Sequence, residues 1–169
     1  MSIEYVVLVD ENDVELGVME KQEAHEKALL HRAFSVMVFN EKKEMLLQQR
    51  AFSKYHSGGL WTNTCCSHPR PGEDAISAAH RRLKEEMGFD CELRPHQTFV
   101  YKAPFDNGLT EHEFDHVFVG EFSHDPQFNR EEVASFQWIT LPALQAQLLA
   151  NPDKFTIWFR LIMENYVHF

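Results

Sequence analysis

In the stretch LWTNTCCSHP, residues 60–69, two cysteines stand side by side and a histidine follows two positions later. Thiols at this spacing can be a metal knuckle, a nucleophile with a spare, or a buried pair. If the segment is extended, its side chains alternate between faces, so Cys65 and Cys66 point opposite ways and only one of them can reach a given site. His68 then shares the side of Cys66. A second stretch, TEHEFDHVFVGEF (110–122), alternates in the same way. It sets Glu111, Glu113 and Asp115 on one face, and His112, Phe114, His116 and Phe118 on the other. A third stretch, RRLKEEM, spaces Arg81 from Glu85 and Arg82 from Glu86 by one helical turn.

Several elements have to position these groups. EYVVLVD (4–10) and ELGVM (15–19) read as strands around a turn, and EKQEAHEKAL (20–29) as a short helix or ordered loop. RAFSVMVFN (32–40) and MLLQQR (45–50) read as a hairpin, AFSKYHSGG (51–59) as a loop and LWTNTC as a short strand. After the Pro/Gly loop SHPRPGED, Asp74 is placed to cap a helix over AISAAHRRLKEEM. Its apolar stripe is Ile76, Ala79, Leu83 and Met87, and Gly88 stops it. FDCEL, HQTFVYKAPF (96–105), the 110–122 stretch and VASFQWIT read as strands, with DNGL as a hairpin turn. PALQAQLLAN and FTIWFRLIMENYV close the chain as helices. The expected architecture is α+β, one domain over residues 1–169, with mixed β-sheets flanked by helices.

Composition excludes some partners. Net charge is −10, which disfavours nucleic acid and requires that cations for an anionic substrate be local. Three cysteines, two of them adjacent, make a poor disulfide framework. The opening MSIEYVVLVDEN does not read as a signal peptide, and no apolar run approaches a membrane span. The expectation is a reduced, cytoplasmic protein without a membrane partner, and a monomer.

The spacing of Ser67, Glu73, Arg81, Leu83, Glu85, Glu86, Gly88 and Phe89 fits the Nudix box, with two departures. Ser67 stands for the first glycine. Arg82 stands where Nudix hydrolases carry a glutamate of their metal-binding acidic cluster, a change that favours holding a phosphate over cutting it. TNTCCSHP, this degenerate box, LHRAFSVMVFN (30–40), LLQQRAFSK (46–54) and EHEFDHVF (111–118), in this order, resemble the type I isopentenyl diphosphate isomerases. Ser57-Gly58-Gly59 departs from the aromatic-Pro-Gly common in that family.

The resemblance implies a Nudix-like fold and interconversion of isopentenyl and dimethylallyl diphosphates in isoprenoid biosynthesis. One proton is added at the terminal alkene carbon, a tertiary carbocation forms, and another proton leaves the carbon nearer the diphosphate. It assigns Cys66 and Glu113 as the acid–base pair, Tyr101 as the assistant to Glu113, and Trp158 as the face toward the cation. It implies a metal site of His25, His31, His68, Glu111 and Glu113, whose mixed imidazole and carboxylate donors suit Mn²⁺ or Zn²⁺. Lys21, Arg50, Lys54 and Arg82 would grip the diphosphate, with Mg²⁺ held partly by Glu86. Cys65 is expected to pack as a small apolar residue. The competing reading is a Nudix hydrolase acting on a nucleoside or other diphosphate, which needs neither Cys66 nor Glu113.

Overall fold

Strand β3 (His31–Phe39) is the spine on which the rest assembles. The computed structural model describes residues 3–54, 56–105 and 107–165. Before β3 come β1 (Tyr5–Val9), β2 (Glu15–Glu20) and helix α1 (Lys21–Lys27); after it come β4 (Glu44–Arg50), β5 (Trp61–Thr62) and β6 (Cys65–Ser67). Helix α2 (Ala75–Met87) leads to β7 (Leu93–Pro104), β8 (Thr110–Glu121) and β9 (Val133–Thr140). Helix α3 (Leu141–Ala150), a 3-10 turn (Pro152–Lys154) and α4 (Ile157–Glu164) complete the described chain.

The expected sheets are joined into one. β8 runs parallel to β3 along its whole length, from His31↔Glu113 to Phe39↔Glu121. The opposite edge of β3 is shared by β1 at His31, β6 at Phe34–Val36 and β4 at Phe39. Mixed pairing of this kind leaves two apolar faces. Phe34, Val36, Cys65 and Phe118 pack under α2, while Met37, Val117 and Tyr101 pack under α3 and α4.

Helix α2 follows its sequence signals. The Asp74 carboxylate accepts from Ser77 N at 2.8 Å, and Gly88 ends the helix at φ 73°. A side chain at Gly88 would meet Gln127 O at 2.0 Å, so both conformation and space require glycine. The short strand expected over 60–65 is instead broken at Asn63-Thr64. Asn63 Nδ2 donates to Val36 O and Cys65 O, and Thr64 Oγ1 accepts from Val38 N while donating to Leu46 O. Buried side chains there replace the ladder between β5 and β6. FDCEL forms no strand before Leu93, and β7 runs on from there through a bulge at Pro95/Gln97. Helix α4 begins at Ile157, because Thr156 Oγ1 accepts from Phe159 N. Tyr55 of the expected loop, Asp106 of the expected turn, and Tyr166 and Val167 of the expected last helix lie outside the described residues.

Candidate active site

The cysteine pair straddles the sheet. Cys65 pairs with Val36 and Cys66 with Ser35, so alternation sends Cys65 toward α2 and Cys66 toward α4. There the Trp158 Nε1–H donates to Cys66 Sγ at 3.1 Å. His31 pairs with Glu113 across the other edge of β3. Cys66 and Glu113 thus approach one cavity from opposite edges of the same strand. That cavity is lined also by Tyr101, Trp158, Glu111, Lys21, Arg50, Lys54, Arg82 and Glu86. The cavity therefore collects the sequence-predicted acid–base, aromatic and cationic residues.

Three histidines converge beside it. His25 comes from α1, His31 from the start of β3 and His68 from just after β6, with ring centroids 5.0 to 5.9 Å apart. With Glu113 they form a group whose donor atoms all lie within 4.8 Å of one another. His31 Nδ1 lies 2.9 Å from Leu29 O, a contact that a protonated Nδ1 satisfies and that turns Nε2 toward Glu113. His31 Nε2 is 3.3 Å from Glu113 Oε2 yet off hydrogen-bonding geometry, and it and His25 Nε2 are buried without a hydrogen-bond partner. Two buried, unsatisfied ring nitrogens beside a carboxylate fit a divalent cation. His112 turns the other way, with Nδ1 3.1 Å from Ala28 O.

Glu111 is not in that four-residue group. It joins through Tyr101, whose hydroxyl lies 2.8 Å from Glu111 Oε2 and also hydrogen-bonds Glu113 Oε1. Burial drives the two carboxylates apart. Glu111 is pushed well above the usual range by desolvation and by the Glu113 charge. Burial opposes ionisation of Glu113 too, but His68, at 2.7 Å, and His31 overcome it and hold the carboxyl well below that range. The phenol has one proton for two acceptors, and a protonated Glu111 supplies the second. Burial pushes the Tyr101 hydroxyl and the Cys66 thiol up, so both keep their protons at neutral pH. It pushes His25 down to about 3, leaving a neutral imidazole.

The cations have acidic company. Lys21 pairs with Glu4 and Lys54 with Glu132. Arg82 donates to Glu85 at 2.9 Å and Glu132 at 2.8 Å, and sits 3.6 Å from buried Glu86. Arg50 lies 5.1 Å over the Trp158 ring with its Nε buried and unpartnered.

Three features were not read from the sequence. Cys65 is more than an apolar filler: its thiol donates to Glu86 Oε2 at 2.9 Å. Glu132 joins Lys54 to Arg82 from a loop 50 residues beyond Arg82. His56, passed over within a Ser/Gly loop, lines the cavity. Only its place among ten histidines signalled it, and nothing in the local pattern separated it from the rest.

Residues 29–159 match the NUDIX domain family model. Isopentenyl-diphosphate Delta-isomerase of Pectobacterium atrosepticum is 54% identical over 161 residues, 95% of this chain and 90% of that one. Isopentenyl-diphosphate Delta-isomerase 2 of Photorhabdus laumondii is 51% identical over 160 residues, with the same shares of 95% and 90%. Among solved structures, a Deinococcus radiodurans protein superposes with a TM-score of 0.79 at 21% identity, covering 97% of this chain and 100% of that one. The MutT protein from Methanosarcina mazei gives 0.64 at 20% identity, covering 80% and 91%. At such identities the likeness is one of fold.

Proposed function

The chain belongs to the Nudix domain family and, within it, to the isopentenyl-diphosphate Delta-isomerases, and from that premise we propose how its own residues interconvert isopentenyl and dimethylallyl diphosphate. Cys66 and Glu113 form the proton-transfer pair. One gives a proton to the terminal alkene carbon, leaving a tertiary cation at the adjacent carbon. The other takes a proton from the carbon nearer the diphosphate, and the electrons of that C–H bond form the new alkene. The reaction is reversible, so each group serves in both senses.

The observation that carries this reading is the placing of a protonated thiol and an ionised carboxylate around one cavity, reached from opposite edges of β3. Tyr101 holds Glu113 and passes a proton between it and Glu111. Trp158 offers its ring to the cation and holds Cys66 in place through Nε1. Lys21, Arg50, Lys54 and Arg82 receive the diphosphate, and the unpartnered Arg50 Nε is one donor ready for it.

His25, His31, His68 and Glu113, with Glu111, would hold Mn²⁺ or Zn²⁺, and Glu86 would hold Mg²⁺ with the substrate. When bound, these ions supply the positive charge that keeps Glu113 ionised and that neutralises the diphosphate. Arg82 at the hydrolase glutamate position supports isomerisation over hydrolysis.

A single chain supplies every assigned group, which supports a monomer as the active unit. Its three free thiols suit a reducing cytoplasm. Among the described residues no helix is long and apolar enough to cross a membrane, and the net charge of −10 offers nucleic acid no match.

The test is direct. Purified protein with isopentenyl diphosphate and Mg²⁺ should yield the allylic isomer without releasing phosphate. Phosphate release without isomer would move the assignment to the hydrolase reading.

A further inference from the structure

We propose that His56 is a positioning residue for isomerisation: its ring, backed by Phe105, fixes the indole of Trp158 at the alkyl end of the cavity. This rests on the isomerase reading above and adds to it a residue taken from the loop that departs from the family pattern.

The loop is built to deliver that ring. Ser57 and Gly59 adopt positive φ, 55° and 79°. A side chain at Gly58 would meet Phe52 O at 2.7 Å, and one at Gly59 would meet the Phe52 ring at 2.6 Å. The turn is therefore folded tightly on Phe52 and admits no larger residues. Backbone bonds fasten both its ends: Gly59 N donates to Arg50 O at 3.0 Å and Arg50 N to Leu60 O at 2.8 Å. Gln49 Nε2 adds a bond to Gly59 O at 3.0 Å. A side chain carried on such a turn has a fixed direction, and that of His56 is inward, with only 7% of it exposed.

Two rings flank it. The imidazole stacks on Phe105 at 4.7 Å with planes 17° apart, and meets Trp158 edge-on at 5.8 Å and 88°. Both are favoured aromatic geometries. Its polar contacts include Nδ1 with Ser57 Oγ at 3.3 Å and an approach of Nε2 to Glu111 Oε1 at 3.7 Å. Trp158 also belongs to the buried apolar cluster with Met37, Phe155 and Phe159, and meets Cys66 at its Nε1 and Arg50 over its ring. Both of those partners are committed to substrate: one to proton transfer, the other to the diphosphate. His56 and Phe105 meet the indole without taking part in proton transfer or diphosphate binding, so, beside the apolar cluster that includes Phe155 and Phe159, they keep its plane aimed at the developing charge while Cys66 and Arg50 engage the ligand.

The experiment compares His56→Ala, His56→Gln and His56→Phe with wild type. It uses steady-state isomerisation and, separately, binding of Mg²⁺ and inorganic pyrophosphate by calorimetry. Losing the ring (Ala, Gln) should lower kcat by roughly tenfold or more, the scale of a slightly misplaced group, with KM and pyrophosphate affinity within about twofold. Restoring a ring (Phe) should recover kcat to within about threefold of wild type. Equal kcat for His56→Gln and His56→Phe would overturn the proposal, as would a wild-type kcat in His56→Ala or a loss confined to KM. If His56→Ala melts early, the Gln and Phe pair decides alone. A wild-type protein that does not isomerise would instead overturn the functional assignment itself.

Discussion

Arg82→Gln removes the one cation within 4 Å of the buried Glu86 carboxylate among the described residues. Glu86 is 4% exposed and Arg82 sits 3.6 Å away. At an effective dielectric of about 20, that separation corresponds to an attraction of about 5 kcal/mol before desolvation is counted. The Arg82 side chain keeps 18% of its surface in solvent, and water entering the gap recovers part of the loss, so we expect a cost of about 2–3 kcal/mol. An unfolding entropy of about 2.1 cal/mol/K per residue over 169 residues turns that cost into a fall in Tm of about 6–8 °C.

The same change has a pH signature. Burial raises the proton affinity of Glu86, and Arg82 pulls it back down. Without Arg82, burial acts with less opposition and the folded-state value climbs further above the unfolded one. A group raised in this way costs nothing while both states hold the proton; the cost grows as pH rises from the unfolded value to the folded one and stays at its full size above that. The gap in Tm between wild type and variant should therefore widen from pH 5 to pH 8. Mg²⁺ should narrow it at pH 8 by binding the exposed negative charge. Differential scanning calorimetry across that range is the assay. A Tm shift below about 2 °C, or a gap that does not depend on pH, would refute the reasoning that Arg82 neutralises Glu86.

Tyr101→Phe removes the hydroxyl shared by Glu111 and Glu113 and should lower kcat about 100-fold in the isomerase assay with little change in Tm. Cys66→Ala should abolish turnover. Cys65→Ala should lose less than about tenfold in kcat while costing about 1–2 kcal/mol in denaturant unfolding, because it leaves a buried gap and removes the donor to Glu86; equal kcat losses would overturn the assignment between the two thiols. Chelation should lower Tm, and Mn²⁺ or Zn²⁺ should restore it. Because burial holds His25 near 3, its own proton does not compete with the metal between pH 6 and pH 7.5. Gly88→Ala forces a side chain to within 2.0 Å of Gln127 O at a φ of 73° and should cost about 2 kcal/mol or more in the same unfolding measurement.

Much of the site was legible because its chemistry follows local periods. Alternation along a strand separates Cys65 from Cys66 and aligns Glu111 with Glu113, whatever lies around them. Helical spacing does the same for Arg82 and Glu86. The box spacing and the order of motifs then gave the family, and the resemblance supplied roles for Tyr101 and Trp158, which the strand and helix patterns alone present as ordinary core residues. His56 escaped because its direction is set by a turn at positive φ, and a Ser/Gly loop does not announce which way its neighbours face. The break at Asn63-Thr64 escaped for a related reason: side chains standing in for backbone partners leave no periodic trace.

The residue types, their phase along each strand and helix, and the substitution of arginine at position 82 are properties of the chain alone. They determined which groups share a face and what chemistry those groups can do. Which faces meet was decided only in three dimensions. β3 sets Cys66 and Glu113 on opposite edges, three histidines from a helix, a strand start and a loop converge on one carboxylate, and Tyr101 links Glu111 to Glu113. The shifted proton affinities belong to that level as well. Desolvation and a neighbour's charge depend on burial and distance, and neither quantity is encoded at any single position.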